Sequence, residues 1–174
     1  QQENYRSALV AFEKAFSFKA LDETQQLDLQ FFLGQLYLAE DRVDDAIRTL
    51  EAWMRASGDD AAPGAFFVLA QAYSIKENYP RALSYAERGM TKARAEGAVR
   101  ETWYRVTTNL YLQTQKYKSA KALLIEMVRL FPGKKAYWNQ LGATYQQLED
   151  DKNAYYIRLM MYQQGMLAKT RELE

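Results

Sequence analysis

The chain has 174 residues, 48% of them hydrophobic, a net charge of +1, 13 tyrosines, and neither cysteine nor histidine. Zinc or haem sites built on those two residues, Ser-His-Asp triads and Cys-His dyads each lose a required part, and the near-neutral balance argues against general nucleic-acid binding. No apolar run approaches the roughly 20 residues of a membrane span, and only 8 glycines and 3 prolines leave little room for long loops.

In chain order, Gln1-Gln2-Glu3-Asn4 is polar, carries no initiator methionine and leads straight into a helical pattern over residues 4–18. The sequence is therefore expected to be a fragment of a longer chain or a processed product, opening on an orphan second helix. A helix hairpin is predicted over 23–58, where Leu29, Leu33, Leu36 and Tyr37, then Val43, Ala46, Ile47 and Leu50, recur at three- and four-residue steps. A second hairpin is predicted over 63–96, with Pro63 and Pro80 where its helices begin and a missing N–H costs nothing. Its second helix extends through Thr91–Glu96 and is ended by Gly97. A third hairpin over 99–132 closes on Pro132-Gly133. A fourth over 134–164 follows, and a further helix is expected to start within 166–174. Acidic clusters Asp41/Asp44/Asp45 and Glu149/Asp150/Asp151 fall at inner turns and are expected to cap the helices that follow.

The hairpins are copies of one unit. Ala8, Ala46, Ala82, Ala120 and Ala154 recur at intervals of 38, 36, 38 and 34 residues, and Tyr37, Tyr73, Tyr111 and Tyr145 each lie nine residues before an alanine. Leu33-Gly34, Leu69-Ala70, Thr107-Thr108 and Leu141-Gly142 precede those tyrosines at fixed spacing. Because the nine-residue step never varies, all length variation falls between hairpins. A small residue at Gly34, Ala70, Thr108 and Gly142 allows close helix approach, the alanine supplies the facing flat spot, and the tyrosine fills the space beside it. Trp53, Gly89, Met127 and Met161 stand at one shared position where uneven packing is expected, and Thr107-Thr108 is expected to weaken its helix.

Trp138-x-x-Leu141-Gly142-x-x-Tyr145 followed by Ala154, with Leu33-Gly34-x-x-Tyr37…Ala46 and Tyr111…Ala120…Pro132, resembles the 34-residue tetratricopeptide (TPR) consensus. The resemblance covers essentially the whole chain. It implies an all-α, right-handed superhelical solenoid of antiparallel helix hairpins: one TPR domain over 1–174, with about four full repeats plus flanking helices, acting as a non-enzymatic protein-binding scaffold without cofactor or metal. Three segments, Val68–Tyr73, the junction from Ala95 to Tyr104, and Leu130–Gly142, with Met161–Leu173 closing the series, are also similar to bacterial repeat proteins associated with TonB–ExbB–ExbD energy-transduction systems. That narrower resemblance implies a periplasmic location and TonB, ExbB or ExbD components as partners.

In this fold the first helix of each hairpin lines the concave groove. The register assigns Phe31 and Gln35, Phe67 and Gln71, Arg105 and Asn109, and Asn139 and Gln146 to it. Amides hydrogen-bond an extended backbone through donor and acceptor alike, and the phenylalanines are expected to seat apolar side chains of a peptide or helix. Arg105 and Asn109 reproduce one pair of the carboxylate clamp found in some TPR co-chaperones, but the neighbouring repeats lack its other members. The last full helix carries Tyr155, Tyr156, Leu159, Met160 and Tyr162 around most of its circumference, which points to a cover from a further repeat, or to homo-oligomerisation or a partner interface. Lys116, Lys118, Lys121 and Lys134-Lys135 read as solvated charges, and Asp41–Asp45 lacks the glycine and distal glutamate of a calcium loop.

Overall fold

The computed structural model describes residues 7, 10–14 and 21–168. Among the described residues there are eight α-helices with both ends placed and no strand: α1 (Glu23–Ala39), α2 (Val43–Ser57), α3 (Pro63–Ile75), α4 (Tyr79–Ala95), α5 (Glu101–Gln113), α6 (Tyr117–Leu130), α7 (Lys135–Gln147) and α8 (Asp151–Gln163), with a 3₁₀ turn at Gly58–Asp60. Residues 7 and 10–14 are helical, and the rest of the 4–18 helix lies outside the described residues. The sequence suggests one domain; the chain divides into two compact units, Gln1–Val99 and Arg100–Glu174.

Local chemistry starts and stops these helices. At α1, Asp22 accepts from the Gln25 backbone N–H at 2.8 Å while the Gln25 side chain accepts from the Asp22 N–H at 3.2 Å, a reciprocal capping box. Pro63 opens α3, and the Asn78 side chain caps α4 by accepting from the Arg81 N–H at 3.3 Å. Asp150 caps α8 as expected, accepting from the Asn153 N–H at 3.2 Å. The other acidic cluster does not cap. Arg42 holds the N-cap position of α2 without a side-chain bond, and Asp45 instead pairs with Arg42 at 2.7 Å and with Arg48.

The invariant nine-residue step has a backbone cause. Four residues after each repeat tyrosine stands a non-glycine residue in the left-handed region: Asp41 (φ 60°), Glu77 (56°), Gln115 (57°) and Glu149 (56°). The next N–H then bonds back to the tyrosine carbonyl, at 2.8 Å for Arg42, 2.9 Å for Asn78, 2.8 Å for Lys116 and 3.0 Å for Asp150. Each turn closes the same hydrogen-bonded ring at a helix C-terminus, so its length admits no variation.

In the first unit, α1 packs on α2, α2 on α3 and α3 on α4. Ala46, Leu50, Leu69, Ala70, Ala82 and Ala86 are all buried to 1% exposure or less. Gly34 is where backbones close up. A Cβ built there would stand 2.4 Å from Leu50 Cγ, so the Leu50 side chain occupies the space a side chain would need. Gly89 does the same for two phenylalanines, since its Cβ would lie 2.8 Å from the Phe67 ring and 2.9 Å from Phe66 Cβ.

In the second unit, α5 packs on α6, α6 on α7 and α7 on α8. Thr107 and Thr108 are buried within an unbroken α5, so the expected weakening leaves no break in the helix. The Thr108 hydroxyl donates to Met127 Sδ at 3.3 Å, which uses the methionine at the position it shares with Trp53, Gly89 and Met161. Trp138 Nε1 donates to the Pro132 carbonyl at 2.8 Å and fixes the entry to α7. After α8, Gly165 turns the chain at φ 71° and the Met166 N–H bonds to the Met161 carbonyl at 2.8 Å. Residues 166–168 are bent rather than helical, and the remainder of the expected 166–174 helix lies outside the described residues.

Candidate partner-binding site

In the first unit the predicted binding residues separate by chemistry. Gln35 on α1 and Gln71 on α3 are exposed. Phe31 is only half-buried, its ring 4.7 Å from that of Trp53 on α2. The expectation that Phe67 is presented to a partner is corrected: it is 7% exposed, because its ring fills the space left by the missing side chain of Gly89 on α4. With glycine at that position, an aromatic whose register points to the groove packs into the core.

In the second unit Arg105, Asn109, Asn139 and Gln146 are all exposed. Arg105 stands among charges of its own unit. The Tyr137 hydroxyl donates to the Glu101 carboxylate, and Lys134 Nζ lies 3.5 Å from it. The Tyr137 bond, ahead of the Lys134 and Arg105 charges, holds the Glu101 carboxyl below its ordinary range. Burial, then the bond to Glu101, pushes Tyr137 up to about 12. Arg105 therefore already faces a carboxylate of its own chain, a poor start for a clamp on another one.

Asn139 and Gln146 come together. Both line a cavity of about 270 Å³ formed by α7, α8 and Leu167, with Gly142, Ile157 and Met161 among its walls. On α8, Tyr155, Tyr156 and Met160 are 42%, 47% and 43% exposed, with the two tyrosine rings 6.1 Å apart. Leu159 and Tyr162 on the same helix are half-buried.

A set of residues the repeat pattern did not single out binds neighbouring hairpins together. Tyr37 donates to Glu13 at 2.9 Å, with Arg42 Nη1 3.2 Å from the same carboxylate. Glu51 accepts from Tyr73 at 2.5 Å and from Tyr85 at 3.1 Å, the two rings stacked 5.6 Å apart. Arg81 donates to the Tyr73 hydroxyl at 2.8 Å. Burial, then the Glu51 charge, pushes Tyr85 up to about 12. The signal was present: Glu13 and Glu51 each follow a repeat alanine by five residues.

Among the described residues, no helix is long and apolar enough to cross a membrane and no group of three acidic side chains is placed to hold a metal ion. No family model matches the chain, and no curated relative matches it. Solved structures do. A MamA structure from AMB-1 is similar with a TM-score of 0.76 at 16% identity, covering 97% of this chain and 87% of its own. A Podosopora anserina putative kinesin light chain with nearly identical TPR-like repeats gives 0.71 at 16% identity, over 94% of this chain and 88% of its own. YrrB, described as a TPR protein with an unusual peptide-binding site, gives 0.72 at 16% identity, over 89% of this chain and 75% of its own. These likenesses show that the chain has the all-α fold of tetratricopeptide-repeat proteins.

Proposed function

We propose that the chain is a non-enzymatic protein-interaction module that takes up a partner segment on the first helices of its hairpins. The supporting observation is a set of six polar side chains, Gln35, Gln71, Arg105, Asn109, Asn139 and Gln146. All are exposed, and among the described residues none makes a side-chain hydrogen bond. Amides held on rigid helices lose little entropy when they engage a partner backbone. The neighbours favour the same reading: one is described by its peptide-binding site, and a Naa15/Naa10 structure, which has a TM-score of 0.72 and 15% identity over 97% of this chain and 24% of its own, is bound to HypK-THB. The test is capture with the triple variant Gln71→Ala, Arg105→Ala and Asn139→Ala. Wild-type protein should retain a partner that the variant loses at unchanged helicity; equal capture by both sinks the reading.

The narrower resemblance proposes TonB, ExbB or ExbD as partners in the periplasm, which capture from envelope extract would decide. A second reading, assembly through α8, is favoured by the exposure of Tyr155, Tyr156 and Met160. Tyr155→Ser with Met160→Ser would then abolish self-association in sedimentation while leaving partner capture intact.

A further inference from the structure

One pair of register positions is closed in the third hairpin and left open in the second. Seven residues before each repeat tyrosine stand Gln30, Phe66, Tyr104 and Trp138, and six after each repeat alanine stand Ala52, Arg88, Glu126 and Met160. In the third hairpin the Tyr104 hydroxyl donates to the Glu126 carboxylate, so the pair meets within its own hairpin. In the second, phenylalanine has no hydroxyl to offer. The Arg88 guanidinium instead lies over the Phe66 ring, 4.9 Å from its centroid, and 5.6 Å from that of Tyr85. The rings hold the guanidinium in place without taking up its N–H donors. Among the described residues Arg88 makes no hydrogen bond and no ion pair, although its side chain is exposed.

That open guanidinium lines a cavity of about 610 Å³ between α4 and the turn at Gly58 and Asp59, and no residue assigned to the groove is in its wall. Ser84, one helical turn before Arg88, brings a hydroxyl to the same wall and makes no hydrogen bond among the described residues. The other polar groups are engaged or opposite in sign. Lys92 donates to the Asp59 carbonyl and lies 3.7 Å from Glu96, and the Thr91 hydroxyl donates to the Glu87 carbonyl at 2.9 Å. The carboxylates of Asp59 and Glu87 line the cavity and have no ion pair among the described residues.

We propose that this cavity is a docking site for an acidic side chain, Glu or Asp, on the surface of a partner protein. Arg88 takes the two carboxylate oxygens through parallel N–H donors, and the Ser84 hydroxyl supplies a third. Asp59 and Glu87 set the selectivity. Their charge opposes a phosphate dianion more than a carboxylate monoanion, and it favours a lysine or arginine beside the acidic residue. The cavity is open to solvent, which suits a side chain delivered on a protein surface; a site for a free small molecule would enclose most of its ligand. This docking site goes beyond the groove reading and stands on different residues, on α4 rather than on the groove positions of the first helices.

The probe is the capped dipeptide N-acetyl-Glu-Lys methylamide, with Gln-Lys, Glu-Ala and phosphoserine-Lys in the same caps as comparisons. Each is titrated into the 174-residue chain and followed by backbone amide and arginine Nε–H NMR signals. Saturable shifts should centre on Ser84, Glu87 and Arg88. Glu-Lys should bind about fivefold or more tighter than Gln-Lys, and less tightly as salt is raised. Arg88→Gln should abolish that preference, and Arg88→Lys, which keeps the charge without the fork, should reduce it. Asp59→Asn with Glu87→Gln leaves Arg88 and its rings untouched; it should remove the preference for Glu-Lys over Glu-Ala and strengthen binding of the phosphoserine peptide. Equal affinity for Glu-Lys and Gln-Lys, or a preference that survives Arg88→Gln, overturns the proposal. So does tighter binding of phosphoserine-Lys than of Glu-Lys to the wild-type chain, by assigning the cavity to a phosphorylated partner. Shifts that vanish in Gln71→Ala would also overturn it, by placing the peptide in the groove. If Arg88→Gln disturbs the packing on Phe66, the double acidic variant decides alone: preferences unchanged from wild type sink the docking site. Partner capture by the triple variant bears on the groove and leaves this outcome separate.

Discussion

The first and fourth hairpins carry the same signature, Leu-Gly, a tyrosine three residues later and an alanine nine beyond it, and they are packed in opposite ways. Over Gly34 the space is taken by Leu50, which is 1% exposed. Over Gly142 a Cβ would meet Ile157 Cγ2 at an ordinary 3.5 Å, and a recess lined by Ile157, Arg158 and Met161 lies beside it. A glycine in a repeat consensus thus has two physical uses: to let a side chain of the partner helix in, or to leave a recess on a surface. The motif alone does not choose between them; the side chain that the second helix brings over the glycine does, Leu50 in one hairpin and Ile157 in the other.

The comparison can be broken at its strongest point first. Leu50→Ala should cost about 2–5 kcal/mol in chemical denaturation, the range for an emptied core leucine; a cost below about 1 kcal/mol would mean that the first hairpin is not closed by it. Gly34→Ala comes next. Alanine is the better helix former by about 1 kcal/mol, yet forcing a methyl against Leu50 should leave a net loss of about 1–3 kcal/mol. Combined with Leu50→Ala the loss should be less than additive, since the second change removes the clash created by the first.

Tyr137→Phe tests how firmly α7 is anchored beside its open recess. Loss of the Glu101 bond should cost about 1 kcal/mol at neutral pH. The wild-type chain carries a pH signature as well. Tyr137 and Tyr85 are both raised from 10.0 to about 12 in the folded chain. Between those values the unfolded chain ionises first and binds fewer protons, so stability must fall as pH rises. The urea midpoint should hold steady as pH rises toward 10 and decline from there to 12, more shallowly in Tyr137→Phe than in wild type. The smallest effect belongs to Gly142→Ala. It should be neutral within about 0.5 kcal/mol, or gain up to about 1 kcal/mol from helix propensity alone. A loss as large as that of Gly34→Ala would erase the contrast between the two hairpins.

Much of the fold was legible because the repeat is written twice, in small-residue spacing and in the tyrosine-to-alanine step. Those periodicities are local, and they located all four hairpins. The candidate site was less legible because its side chains depend on residues elsewhere in space. Phe67 has the register of a groove residue, and only Gly89, on another helix, decides that its ring turns into the core. Phe31 is likewise claimed in part by Trp53. Exposed Gln35, Gln71, Asn109 and Asn139 followed from register alone, since no neighbour competes for a short polar side chain on an outer face. The glutamates that accept from Tyr37 and Tyr73 were hidden for a different reason. Scattered carboxylates usually mark a solvated surface, and only their fixed offset from the alanines separates Glu13 and Glu51 from the rest.

The four left-handed turn residues, Asp41, Glu77, Gln115 and Glu149, have a consequence for anyone rebuilding the molecule. Each closes a ring of fixed size, so an added residue there must open the ring and misdirect the helix that follows. The stretch after α2, where Gly58 stands at positive φ with open space around it, carries no such ring, whereas after α4 Gly97 closes one through the Ala98 N–H and the Ala93 carbonyl at 2.9 Å. The stretch after α2 is the site at which to graft a tag, a reporter loop or a foreign binding peptide: the chain can be lengthened where no such ring closes, between its first two hairpins, but not within a hairpin.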